Sequence, residues 1–183
     1  MYILYEVIFL KDIKEYVRTI PDFPKKGIMF RDITTVLSDP DGFKLAIDTL
    51  QSQLEGIDFD IIAGVESRGF IFAGPIAFNL KKAFIPIRKK GKLPYKTIEQ
   101  SYDLEYGSAT LEIHEDAIKP GQKVVLVDDL IATGGSIKAA ATLVEKLGAE
   151  VVKILFLIEL PDLGGRSVLK DYDIYCATSF DGE

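Results

Sequence analysis

From Lys123 to Ser136 the chain reads KVVLVDDLIATGGS, an apolar run closed by two aspartates and a loop of small residues. Lys123 to Val127 carries β-branched and apolar side chains on consecutive positions, the pattern of a strand buried on both faces of a helix-covered parallel sheet. Asp128 and Asp129 are expected to end that strand. In Ala132, Thr133, Gly134, Gly135 and Ser136 the glycines let the backbone turn its N–H groups inward and approach a ligand closely. From Ile137 the pattern turns helical, with Ile137, Ala140, Ala141, Val144 and Leu147 on one stripe and Gly148 just past its end. The loop thus meets a helix N-terminus, where unpaired N–H groups and the dipole favour an anion.

Neither the GxxxxGK[ST] nor the GxGxxG pattern is present in this stretch. Two carboxylates beside a phosphate would repel it. They fit hydroxyls of a sugar, or Mg²⁺, with the phosphate further along the loop, and a ribose 5-phosphate meets both demands. A small-residue loop alone is equally a plain strand-turn-helix with surface acids; the buried strand and paired aspartates weigh against that. VVLVDDLIATGGS resembles the phosphoribosyl-pyrophosphate motif of the type I phosphoribosyltransferase family, and its wording is nearest the family's adenine-specific members.

Composition sets the outer limits. The 183 residues are 48% hydrophobic, enough for one domain with a sizeable core. A net charge of −6 argues against a general binder of nucleic acids or anionic membranes, so any polyanionic substrate must meet local basic clusters. The apolar runs are far shorter than a membrane span. Cys176 is the single cysteine and His114 the single histidine, so an internal disulfide is excluded and a Cys/His zinc site disfavoured. Cys176 is expected in the core, His114 on a strand or the surface, and the reducing cytoplasm suits the composition. Met1 to Leu10 lacks a basic leader and a small-residue cleavage site, so it does not read as a signal peptide. Apolar residues at 3, 4, 7 and 8 continue as Ile13, Tyr16, Val17 and Ile20, which predicts one amphipathic helix. Against the family, residues 1–9 are expected to be an N-terminal extension.

Other segments carry weaker signals that the resemblance sharpens. Residues 21–35, PDFPKKGIMFRDITT, read as a connector, and Phe30, Arg31 and Asp32 match the family's FRD. The resemblance implies a hood in which Met29 and Phe30 wall a purine while the Arg31 backbone reads its edge. A helix capped by Ser38 or Asp39, with Pro40 in its first turn, would bury Phe43, Ala46, Ile47, Leu50 and Leu54. Phe59 to Ala63 predicts a strand, and the following GVESRG resembles the family's pyrophosphate loop. That likeness implies Glu66, Ser67 and Arg68 as pyrophosphate-binding residues, with a cis peptide at Glu66-Ser67. Ala83 to Ile87 predicts a strand with Pro86 at an edge or bulge. The run Arg88 to Lys92, RKKGK, is the densest positive cluster, and Arg88 and Lys92 match pyrophosphate contacts. Lys96 to His114 alternates as a β-hairpin expected outside the main sheet, turning at Tyr106-Gly107-Ser108. Residues 94–114 resemble the family's flap, which implies Glu105 as the catalytic acid/base and Tyr106 beside it. Val151 to Ile158 predicts a buried strand; Leu160 then matches an apolar cover for the purine, and Gly164 to Lys170 and Tyr172 to Phe180 predict a short helix and a closing strand.

The expectation is a single α/β domain of the type I phosphoribosyltransferase fold, a mainly parallel sheet of about five strands flanked by helices, with a hood and a flap. The resemblance implies Mg²⁺-dependent conversion of adenine and 5-phosphoribosyl 1-pyrophosphate to AMP and pyrophosphate. Mg²⁺ is implied to be held mainly through substrate oxygens, with Asp128 and Asp129 the protein groups open to it. A 6-oxopurine substrate (hypoxanthine, guanine or xanthine) and a nucleotide-sensing regulator without catalysis stay open as alternatives. The implied assembly is a cytoplasmic homodimer with neither nucleic-acid nor membrane partner.

Overall fold

The computed structural model describes residues 12–103 and 107–182. Asp12 caps α1 (Ile13–Tyr16) by accepting from Lys14 N, while Glu15 accepts from Asp12 N. The helix stops there: β1 (Arg18–Pro21) instead pairs antiparallel with β2 (Met29–Asp32). The expected helix through Ile20 is therefore corrected. Spacing at 13, 16, 17 and 20 suits a helix, but Thr19 and Ile20 are β-branched, Pro21 follows, and a partner strand supplies the backbone bonds. The connector expected at 21–35 likewise contains a strand. This hairpin is tied down by Asp32, which accepts from Arg18 Nε (3.1 Å) and from the Thr34 amide (2.9 Å).

After α2 (Thr34–Ser38), Asp39 caps α3 (Pro40–Ser52) by accepting from the amides of Asp41 and Gly42. The remaining elements are β3 (Ile61–Val65), α4 (Gly69–Leu80), β4 (Ala83–Lys89), β5 (Thr97–Asp103), β6 (Ser108–His114), β7 (Lys123–Ile131), α5 (Gly135–Lys146), β8 (Glu150–Glu159), α6 (Gly165–Val168) and β9 (Ile174–Ser179). The main sheet runs β5-β6-β4-β3-β7-β8-β9, with five parallel strands from β4 to β9.

The hairpin β5–β6 is part of this sheet and not outside it as expected. β4 runs two residues past its pairing with β3, and those residues recruit β6 through Arg88↔Glu112 and Lys89↔Leu111. Pro86 pairs with Gly64 of β3, and β6 does not reach it, so its missing N–H falls on a locally open edge.

The continuous apolar strands follow from cores on both faces. Ile62, Val125, Val127 and Leu155 pack with α3 and α4 against Leu50, Phe72 and Ile76. Ile61, Ala63, Val124, Leu126 and Phe156 face the other way, against Ile137, Ala140 and Val144 of α5. Among the described residues no helix is long and apolar enough to cross a membrane.

Candidate active site

The strand carrying the two aspartates does not end at them. β7 continues to Ile131 because β8 stays paired alongside it, Asp128 opposite Phe156 and Ile131 opposite Glu159. Both acids thereby become rigid strand residues at the C-terminal edge of the sheet, where open α/β folds bind ligands. A cavity of about 490 Å³ opens above them. Glu66, Ser67 and Arg68 form one wall, and Ala132, Thr133, Gly134 and Ser136 the opposite one. Lys89 and Tyr102 close it from β4 and β5.

Asp128 and Asp129 are 9% and 4% exposed. Asp128 Oδ1 accepts from the Asp129 amide at 2.9 Å, and Arg68 Nε lies 2.8 Å from Asp129 Oδ2. That ion pair is not aligned as a hydrogen bond, which leaves Asp129 Oδ2 buried without such a partner. Burial first, then the neighbouring Asp129 charge, push Asp128 well above the ordinary carboxylate range. Burial also raises Asp129, against the pull of Arg68. The pair is therefore poorly compensated, and a cation or hydroxyl donors brought by a ligand would stabilise it. Among the described residues no three His, Cys, Asp or Glu side chains come together as a metal site. Two buried acids with Arg68 as their cationic neighbour nevertheless fit Mg²⁺, which they would hold together with oxygens of substrate and water.

Close approach shapes both walls. A Cβ on Gly69 would stand 2.6 Å from Val127 O and 3.0 Å from Asp128 Oδ1, so glycine lets α4 begin directly against the acid pair. Gly134 has φ +81°, and a Cβ there would meet Gly165 O at 2.9 Å. It sits at the N-cap of α5, where no side chain caps the helix, so the terminal amides remain for an anion.

The cavity gathers Asp128, Asp129, most of the 132–136 loop and residues 66–68. Gly135 stands behind the loop, its Cβ direction 3.4 Å from the Tyr102 ring. The Glu66-Ser67 peptide is cis, as the resemblance implies. The Glu66 carboxylate is engaged at the cavity wall, where it accepts from Arg88 Nε (3.1 Å) and the Lys89 amide (3.0 Å). Burial acts to raise its pKa, but these donors outweigh it and hold it low.

Arg88 and Lys92 do not line the cavity; Arg88 Nη1 donates to Lys92 O at 3.1 Å. Met29, Phe30, Arg31 and Leu160 also lie outside it. Phe30 meets Phe23 edge to face, and the Arg31 guanidinium stacks 4.5 Å from the Phe180 ring and donates to Thr19 Oγ1. Leu160 is buried, its amide donating to the cavity-lining Ile131 at 3.0 Å. Glu105 and Tyr106 fall outside the described residues, as do residues 1–9.

Lys89 and Tyr102 are cavity residues that sequence reasoning missed. Period-two alternation held the signal for Tyr102, since Ile98, Gln100 and Tyr102 form the less exposed face of β5, while Lys89 belongs to the basic run. Burial and the Asp128 charge raise the Tyr102 phenol, so it stays protonated. Cys176 is half-buried on β9, and burial pushes its thiol up to about 12, leaving it unreactive.

The phosphoribosyl transferase domain family matches residues 34–181. An adenine phosphoribosyltransferase of Agathobacter rectalis is 63% identical over 174 residues, covering 95% of this chain and 100% of the relative. The adenine phosphoribosyltransferase crystal structure from Thermoanaerobacter pseudethanolicus superposes with a TM-score of 0.89 at 54% identity, covering 92% of this chain and 98% of the other. That from Saccharomyces cerevisiae, complexed with adenine and an imino-altritol bisphosphate, gives 0.85 at 40% identity, covering 90% and 96%.

Proposed function

The chain belongs to the phosphoribosyl transferase domain family, and on that premise we propose that it transfers the 5-phosphoribosyl group of 5-phosphoribosyl 1-pyrophosphate to adenine, giving AMP and pyrophosphate. One observation carries the reading: a buried, under-compensated acid pair next to an uncapped helix N-terminus, the complement of a sugar hydroxyl pair and its phosphate.

Asp128 and Asp129 hold the ribose hydroxyls, and the amides and hydroxyls of Ala132 to Ser136 hold the 5-phosphate. Ser67, Arg68 and the Arg88 to Lys92 run, whose Lys89 lines the cavity, serve the pyrophosphate. When bound, Mg²⁺ neutralises charge on the leaving pyrophosphate. Arg68 and Lys89 add fixed positive charge where negative charge grows as the anomeric C–O bond breaks. Met29, Phe30, Arg31 and Leu160 hold adenine on the opposite side, so that N9 approaches the anomeric carbon in line. Glu105 takes the purine proton, and Tyr106 with the flap excludes water as a competing nucleophile.

The protein works as a cytoplasmic homodimer in this reading. Phe78 of α4 is 84% exposed, and Phe84 on the open edge of β4 is exposed beside it in chain order, apolar surface suited to a second copy. Incubation with 5-phosphoribosyl 1-pyrophosphate, Mg²⁺ and a panel of purines tests the assignment. AMP from adenine at the highest kcat/KM is expected. Turnover only of hypoxanthine, guanine or xanthine would move the substrate to a 6-oxopurine, and no nucleotide from any base would defeat the enzyme reading.

A further inference from the structure

Glu112 lies on β6, directly opposite Arg88 of β4, and is 3% exposed. An unpaired carboxylate so buried would be costly. This one accepts from the amides of Lys92 and Leu93, both at 2.8 Å through Oε1, and the Gly91 amide turns toward it too. Thr97 Oγ1 stands 3.5 Å from Oε2. Three successive backbone N–H groups converging on one anion form a nest. Here the protein fills the nest with its own carboxylate, so the 91–93 backbone faces inward. The basic residues on either side are tied to the same turn. The Lys92 carbonyl receives Arg88 Nη1, Arg88 Nε reaches Glu66, and Lys89 lines the cavity.

We propose that Glu112 is a positioning residue for the pyrophosphate end of the cleft: its carboxylate fixes the turn that sets Arg88, Lys89 and Lys92 against the 66–68 loop. This rests on the pyrophosphate reading above. Glu112 touches neither the acid pair nor the 132–136 loop, so its removal should act on one half of the substrate alone.

The test compares Glu112→Ala, Glu112→Asp and Glu112→Gln with wild type, measuring calorimetric Kd values for Mg²⁺-pyrophosphate and, separately, for ribose 5-phosphate. Glu112→Ala should weaken pyrophosphate at least about tenfold while ribose 5-phosphate stays within about twofold, the loss of charge-assisted hydrogen bonds acting only on the basic turn. Glu112→Gln keeps the oxygen that receives both amides and should restore pyrophosphate binding to within about threefold of wild type. Should the alanine variant not fold, Glu112→Asp carries the test: one methylene shorter, it cannot reach both amides and should show the same selective loss. Pyrophosphate affinity unchanged in the Ala or Asp variant, or equal weakening of both ligands, would overturn the proposal. Wild-type protein that binds ribose 5-phosphate but no pyrophosphate would overturn the underlying reading, and this inference with it.

Discussion

Glu112 and Asp129 are buried almost equally, at 3% and 4% exposure, and the protein treats them in opposite ways. Glu112 is surrounded by backbone donors: burial acts to raise its pKa, yet the amides of Leu93, Gly91 and Lys92 outweigh it and hold it below the ordinary carboxylate range. Asp128 and Asp129 are neighbours with one guanidinium, that of Arg68, 2.8 Å from Asp129 Oδ2, and both are raised. A carboxylate supplied with donors from its own chain is a structural part. A pair left short of donors is suited to receive them from a ligand, at a cost in stability.

Replacement of Glu105, proposed above as the group that takes the purine proton, has the largest expected effect. Glu105→Gln should lower kcat by about 10²–10⁴-fold if it transfers a proton, with 5-phosphoribosyl 1-pyrophosphate binding intact. A single-turnover rate near wild type would remove it from that role. Next, Asp129→Asn should reduce kcat/KM by about 10²–10³-fold, since in the proposed role it removes a charge that acts on the reacting sugar. Steady-state kinetics showing a loss as small as that of a surface acid would place the pair among structural acids like Glu112. Gly134→Ala forces a side chain into φ +81° and against Gly165 O, a cost of about 1–3 kcal/mol. Ribose 5-phosphate affinity should fall about tenfold or more, readable by calorimetry, with adenine affinity little changed.

The smallest effect is in pH dependence, where the two settings have opposite signs. Glu66, Asp32 and Glu112 are held low in the folded state, so their stability is present above the ordinary carboxylate pKa and lost as pH falls through the depressed value. Asp128 is held high, so its contribution is full below the ordinary value and disappears as pH rises through the raised one. Chemical denaturation at acid pH should therefore show Glu112→Gln losing less stability on acidification than wild type, and Asp128→Asn losing more. The same slope in both variants would erase the distinction.

Much of this was legible in the chain. A doubly buried strand must be apolar at consecutive positions, so β3, β7 and β8 announce themselves, and the small-residue loop at 132–136 needs no distant partner to be recognised. The register of the hood did not show, because Ile13, Tyr16, Val17 and Ile20 satisfy a helical period and only pairing with Met29–Asp32 decides for a strand. Asp128 and Asp129 looked like a strand end because acids rarely sit inside a sheet; β8 holds them there by running alongside. Glu112 was invisible for a different reason. It is one acid in an alternating strand, and its partners are backbone amides some twenty residues away, which no side-chain pattern encodes.

The central claim is that the Asp128–Asp129 pair is kept under-compensated for a phosphoribosyl ligand. The thermal midpoint of wild type and Asp128→Asn at neutral pH, with and without Mg²⁺-5-phosphoribosyl 1-pyrophosphate, tests it directly. The unliganded variant should melt above unliganded wild type by about 2–4 °C for each kcal/mol of relieved repulsion, while ligand should raise wild type strongly and the variant little. A variant that melts below wild type without ligand, or is raised by ligand as much as wild type, would contradict the account.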